Sequence, residues 1–142
     1  MVIVRVDLMS PMRPILKSSW RGTSATLAPL NITHGALRSA WIGYWVAKAV
    51  NGGGVATAAL ALGLDHGLGP VMLHRIEATV RPENAASRAV LAKVGFREEG
   101  LLKRYLEVDG AWRDHLLVAL TAEELEGSAT SSLVRAGRAS WS

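Results

Sequence analysis

The segment Asn51-Gly52-Gly53-Gly54-Val55-Ala56-Thr57 offers the clearest chemical use in this chain. Without Cβ atoms, three consecutive glycines let backbone N–H groups converge on a ligand, and a helix starting directly after them adds its partial positive charge. The chemistry on offer is anion binding. No Gly-Lys-Ser/Thr follows, which excludes a Walker-type loop, and Thr57 stands where a dinucleotide fingerprint needs a glycine. Taken alone, the cluster fits a ligand-free turn equally well. Other chemistry is narrower. There is no cysteine, hence no disulfide framework, thiolate ligand or cysteine nucleophile. His34, His66, His74 and His115 are scattered without a His-x-x-x-His or similar spacing, so no metal site is expected.

Such a turn has to be held by a strand before it and a helix after it. Residues 39–46 set Trp41, Gly43 and Trp45 on one face and Ile42, Tyr44 and Val46 on the other, the pattern of a strand buried on both sides. Residues 55–67 read as an Ala/Leu helix, apolar nearly all round, that packs deeply against a sheet and stops at Gly67-Leu68-Gly69-Pro70. Residues 74–80 form the next strand, with Glu77 interrupting its apolar run. Arg81-Pro82-Glu83 leads into a helix over 84–94, with Asn84 as N-cap, an apolar stripe of Ala86, Val90, Leu91 and Val94, and Gly95 as the C′ residue. Residues 96–107 and 112–120 are two strands joined at Val108-Asp109-Gly110-Ala111, because Asp-Gly favours a tight hairpin. Upstream, residues 23–30 and 32–37 read as two short strands around Asn31. Residues 1–22, interrupted by Pro11, Pro14 and Gly22, are expected to be poorly ordered, and the Ser, Ala, Gly and Arg composition predicts a disordered tail over 126–142. The 142 residues suffice for one core and not for two, so the expectation is a single α/β (α+β) domain with a mixed sheet.

The chain carries a net charge of +4. Residues 41–125 hold nine basic and ten acidic side chains, so the excess lies in the ends and the domain has no electrostatic footprint for nucleic acid. The apolar stretches fall well below the roughly 20 residues of a membrane span. The N-terminus lacks the ordered charge, apolar run and cleavage site of a secretory signal. A cytoplasmic protein without membrane or nucleic-acid partners is expected.

Five motifs occur in order: Gly43-Tyr44-Trp45-Val46, Asn51-Gly52-Gly53-Gly54-Val55-Ala56-Thr57, His74-Arg75-Ile76-Glu77-Ala78, Asn84-Ala85-Ala86-Ser87-Arg88 and Lys93-Val94-Gly95-Phe96. Together they resemble the GNAT superfamily of N-acetyltransferases, and within it the RimJ/RimL branch, which acetylates protein N-termini, notably those of ribosomal proteins. The resemblance covers residues 26–121. It implies a mixed, mostly antiparallel sheet flanked by helices, with acetyl-CoA as co-substrate and no metal. Residues 51–57 would hold the coenzyme pyrophosphate at the start of the following helix. The family signature there begins with Gln or Arg where this chain has Asn51, while Gly54 and Ala56 fit. The backbone of residues 44–47 would splay from its neighbour, bind the pantetheine arm and polarise the thioester carbonyl; Tyr44, Trp45 and Val46 belong to that segment, and Asn84 would contact the same arm.

Acetyl transfer to an amine needs a proton acceptor for the amine, charge stabilisation on the carbonyl oxygen and a proton for the departing thiolate. Many relatives place a glutamate where Thr79 stands here; Glu77 lies two residues earlier on the same strand face and could substitute, directly or through water. A structural role for Glu77, paired with Arg75 or Arg81, is the alternative. The tyrosine that many relatives use as acid corresponds to Leu91. Ser87 lies four residues earlier on nearly the same helix face, and the Rim branch resembles this pattern, with serine as the proton donor; the alternative is a capping serine. The usual first strand and two helices of the family are expected to be mostly lacking, since residues 1–22 do not have their periodicity. Two readings stay open: an N-acetyltransferase with a protein or peptide amine as acceptor, ribosomal in the closest resemblance, or a shortened coenzyme-binding remnant with little turnover. An incomplete sheet would leave an edge in need of cover, which a homodimer could supply.

Overall fold

The computed structural model describes residues 17–20, 23–46, 54–125 and 127–135. Its elements run β1 (Lys17–Trp20), β2 (Thr23–Thr33), β3 (Ser39–Val46), α1 (Val55–Leu68), β4 (Arg75–Val80), α2 (Ala85–Lys93), β5 (Arg97–Val108), β6 (Ala111–Thr121), a 3-10 turn (Ala122–Glu124) and α3 (Ala129–Arg135). The six strands form one sheet in the order β1-β2-β3-β4-β6-β5. Among the described strands only β3 and β4 are parallel, so the sheet is mixed and mostly antiparallel, as expected.

The parallel pair fixes the architecture. Its crossover contains α1, which packs so closely on β4 that a Cβ on Gly67 would stand 2.9 Å from Ile76 Cδ1. Leu60, Ala61 and Leu64 of α1 join Ala40 and Ile42 of β3, Ile76, Ala78 and Val80 of β4, Leu91 of α2, and Val118 and Leu120 of β6 in one core. Among the described residues the helices therefore cover one face of the sheet. Leu60 and Leu64 are almost fully enclosed, which at about 2 kcal/mol per buried leucine makes α1 a main contributor to the core.

Local signals place the smaller parts. The Asn84 side chain accepts the Ser87 N–H at 3.1 Å and starts α2. Gly95, at φ 106°, ends it; Phe96 N–H reaches Leu91 O and Gly95 N–H reaches Ala92 O, each at 3.1 Å, the paired bonds of a Schellman stop. At the β5–β6 hairpin Asp109 and Gly110 both have positive φ, 52° and 77°, as a two-residue type I′ turn requires.

Three expectations are corrected. Residues 23–30 and 32–37 are not two strands: β2 runs through Asn31, and a register shift between Leu30 and Thr33 absorbs the irregularity. Residues 1–22 are not uniformly without order, because Lys17–Trp20 pairs antiparallel with β2. Within residues 126–142, Ala129–Arg135 is helical. The Asp65 carboxylate on α1 accepts the N–H groups of Ala129 at 2.6 Å and Thr130 at 3.1 Å and the Thr130 hydroxyl, while Ala129 and Leu133 are buried in the core. No helix among the described residues is long and apolar enough to cross a membrane.

Candidate active site

The site is built where the parallel pair comes apart. Pairing between β3 and β4 is confined to Ser39–Arg75, Ala40–Ile76 and Trp41–Glu77. Beyond that row β3 continues for five residues beside β2, and β4 for three beside β6, with no register between them. The backbone groups that β3 turns toward β4 past Trp41 therefore have no sheet partner among the described residues. This is the divergence expected for the strand that carries Tyr44, Trp45 and Val46, whose backbone forms the end of β3.

Because β3 and β4 run the same way, their C-terminal ends lie at the same end of the sheet. One leads to α1 and the other to α2, so both helix N-termini lie at the open end of the fork. Asn51, Gly52 and Gly53 fall outside the described residues. Gly54 directly precedes α1 at φ 78° and ψ −1°, a left-handed conformation that glycine adopts without penalty, and its carbonyl accepts the Ala58 N–H at 2.9 Å. Val55, Ala56 and Thr57 form the first turn of α1, and Thr57 is buried. No acidic residue lies in the first turn of either helix, so neither first turn brings its own counter-charge. At α2, Asn84 and Ser87 sit together, with the Ser87 backbone engaged by the cap and the residue half-buried.

Glu77 stands at the base of the fork, in the last paired row. Ile76, Ala78 and Val80 enter the core beneath the helices; Glu77 and Thr79 alternate to the opposite face. There Glu77 Oε1 accepts Arg75 Nε at 2.5 Å. Arg75 also donates Nη1 to Glu99 Oε1 at 2.9 Å and Nη2 to Glu99 Oε2. Arg97 bonds Glu99 and Glu124, and Glu124 accepts the Thr121 N–H at 2.8 Å. The result is a chain of alternating charge across β4, β5 and the turn after β6. The hydrogen bonds from Arg75 and then Arg97 hold the Glu99 carboxyl down at about 2, and those from Glu99 and Glu77 push the Arg75 guanidinium above its ordinary value. Glu77 does pair with Arg75, so the structural alternative has a physical basis, while Oε2 makes no hydrogen bond among the described residues.

An aromatic group lies on the same face. Trp41 stacks on Tyr105 with ring centroids 6.2 Å apart, and Tyr105 meets His115 edge-on at 5.9 Å. Tyr105 reaches across from β5 because the strand shifts register between Leu102 and Leu106, where Arg104 takes φ 49° and its N–H is held by Asp114 Oδ1 at 2.7 Å. On the same face Thr79, His115 and Ala119 are buried. Sequence patterns do not point to Glu99 or Tyr105 at this face, because both come from the bulged edge strand β5, distant in sequence, Glu99 to bond Arg75 and Tyr105 to stack on Trp41. Among the described residues no group of three or more His, Asp or Glu could hold a metal ion.

Comparison with known proteins agrees with this geometry. Residues 20–97 match the family described as acetyltransferase (GNAT) domain. The chain is 42% identical over 95 residues to the probable N-acetyltransferase YjcK of Bacillus subtilis, covering 67% of this chain and 52% of that one. It is 36% identical over 94 residues to the [ribosomal protein uS5]-alanine N-acetyltransferase of Escherichia coli, covering 66% and 48%. Among solved structures, Mycobacterium smegmatis RimJ in complex with CoA-disulfide superposes with a TM-score of 0.81 at 75% identity, over 83% of this chain and 56% of that one. The chain thus spans about half the length of the curated relatives it matches.

Proposed function

This chain belongs to the GNAT acetyltransferase family, and on that premise we propose that it moves the acetyl group of acetyl-CoA to a primary amine, the α-amine of a protein N-terminus. The observation that carries the reading is the fork between β3 and β4 with two helix N-termini at its open end. A ribosomal protein as acceptor is supported by the name of one relative, the [ribosomal protein uS5]-alanine N-acetyltransferase of Escherichia coli.

The residues present fit the coenzyme. A left-handed Gly54 with free space at its Cβ position precedes α1, a helix start without acidic residues suits a pyrophosphate, and unpaired backbone along β3 suits the amides of a pantetheine arm. Asn51, Gly52, Gly53, Gly54, Val55, Ala56 and Thr57 hold the pyrophosphate in this reading. Tyr44, Trp45 and Val46 contribute backbone along the arm, and Asn84 contacts it. The acceptor amine approaches at the base of the fork. Glu77, directly or through water, takes its proton as nitrogen attacks the thioester carbonyl carbon. Backbone N–H groups of β3 stabilise the oxyanion. The carbon–sulfur bond then breaks and the thiolate takes a proton from Ser87 Oγ, in a helix turn that favours negative charge.

The test is acetylation of Ala- and Ser-starting peptides by the full chain, followed as thiol release. We expect turnover, and a loss of about 100-fold in kcat for Ser87→Ala, the lower end of what a general acid contributes. Full activity of Ser87→Ala would remove Ser87 as the acid. A second reading, coenzyme binding without turnover, is favoured by one observation: no described helix covers the sheet face that carries Glu77. Calorimetric binding of acetyl-CoA together with absent thiol release would select it.

A further inference from the structure

Arg75 is shared between two carboxylates unequally. Its guanidinium gives Glu99 both terminal nitrogens, a two-pronged contact, and gives Glu77 only Nε. The guanidinium is a rigid planar fork, so a partner that holds two prongs fixes the plane for every other contact. Glu99 is itself held from the far side by Arg97, and Arg97 by Glu124. The three side chains at the centre, Arg75, Glu77 and Glu99, are 20%, 17% and 23% exposed, sheltered enough for the geometry to persist.

We propose that Arg75 and Glu99 are positioning residues for Glu77, in which Glu99 occupies the prongs of Arg75 and so leaves one oxygen of Glu77 uncommitted to receive the acceptor proton. The inference rests on the reading of Glu77 as the base. Without Glu99 the Arg75 fork is released to engage Glu77 with two prongs, which over-stabilises its charged form. Without Arg75 the negative Glu99 is left close to Glu77 with no cation between them, which favours the protonated form. The two changes act in opposite directions. Among the described residues the charged groups bonded into this cluster are Arg97 of β5 and Glu124 after β6, while Arg81, just past the end of β4, is paired with Glu83. The register partners of Glu77 on β3 and β6, Trp41 and Ala119, carry no charge, and Tyr105 and His115 join Trp41 in the aromatic group on the same face.

The experiment is a pH titration of Glu side-chain carboxyl carbons by NMR on the full chain labelled with 13C-glutamate, with the Glu77 signal assigned by its loss in Glu77→Gln. In Glu99→Gln the Glu77 midpoint is expected to move to lower pH, and in Arg75→Met to higher pH, each by about one unit, or tenfold in proton affinity. Arg75→Lys retains the charge but not the fork and should give a smaller upward move. It serves as the second variant if Arg75→Met does not fold, as judged from amide dispersion. Movement of both variants in one direction, or of neither, overturns the proposal. Activity is then read separately. An acid limb of kcat/KM that follows the Glu77 midpoint through the series supports Glu77 as the base. A limb that stays fixed while the midpoint moves removes Glu77 as the base and leaves the control of its ionisation standing.

Discussion

Replacing Gly54 with alanine gives a prediction with its magnitude set by the structure. Gly54 sits at φ 78° before α1, and a Cβ there would meet no heavy atom within 4 Å. The described protein therefore offers no clash, and the cost is conformational, about 1–2 kcal/mol for an L-residue held in the left-handed region. That cost has two places to fall. If the alanine stays left-handed, the folded chain loses about 1–2 kcal/mol of unfolding free energy and coenzyme affinity is unchanged. If the backbone relaxes instead, stability is kept, and the same energy is spent on returning to the binding geometry, a five- to thirtyfold rise in Kd, since 1.4 kcal/mol is tenfold. Urea unfolding and titration calorimetry with CoA, run on the same preparations, give both parts, and their sum should be about 1–2 kcal/mol. Gly54→Asn should sum to less, because asparagine visits this region at lower cost. A binding loss beyond about 3 kcal/mol for both variants would place the ligand directly against the added atoms. A sum near zero for Gly54→Ala would refute the reasoning, since the left-handed geometry would then matter neither to folding nor to binding.

Three further outcomes follow from other parts of the molecule. Asp65→Ala removes the acceptor for two N–H groups and one hydroxyl at the start of α3, and should cost about 2 kcal/mol, or roughly 6 °C in Tm by calorimetry. An unchanged Tm would mean that Ala129 and Leu133 dock the helix by themselves. Glu99 titrates at about 2 in the folded chain, below the ordinary carboxylate value of 4.5, so its contribution to stability is complete above about pH 4.5 and is lost as the pH falls toward 2. Unfolding free energies between pH 5 and 3 should accordingly fall less steeply for Glu99→Gln than for the native chain, and parallel slopes would contradict this. Leu64→Ala empties an almost fully enclosed core position and should cost about 3 kcal/mol in urea unfolding; a loss under 1 kcal/mol would mean that α1 settles into the space.

What the sequence disclosed and what it hid divide along range. Asn84, Gly95 and Asp109-Gly110 act on their immediate neighbours through a cap, a helix stop and a two-residue turn, and their elements lie within a residue or two of expectation. The strand of residues 39–46 alternates strongly enough to have been bounded to the residue. The helix α3 is not legible locally because its composition is that of a linker, and its start is capped by Asp65 from 64 residues away. The same holds at the site. Arg75 could be weighed as a partner for Glu77 because it lies two residues off on the same strand, but Glu99 enters from β5 beside a register shift, which no local pattern announces. Strand alternation alone sets Trp41 facing away from Ile42, yet its stacking partner Tyr105 depends on the backbone excursion at Arg104.

The early end of the β3–β4 ladder also bears on how the sheet meets other chains. A strand with free N–H and C=O groups ordinarily lies at the rim of a sheet, where any extended polypeptide can add to it and begin aggregation. Here such groups lie in the interior of a six-stranded sheet, between two strands already paired on their other sides. The gap narrows to nothing at Trp41 and Glu77, so an incoming strand could pair with only a few residues before it was blocked. Recessing the unpaired backbone in a closed wedge keeps it accessible to a slender ligand and denies it to a polypeptide.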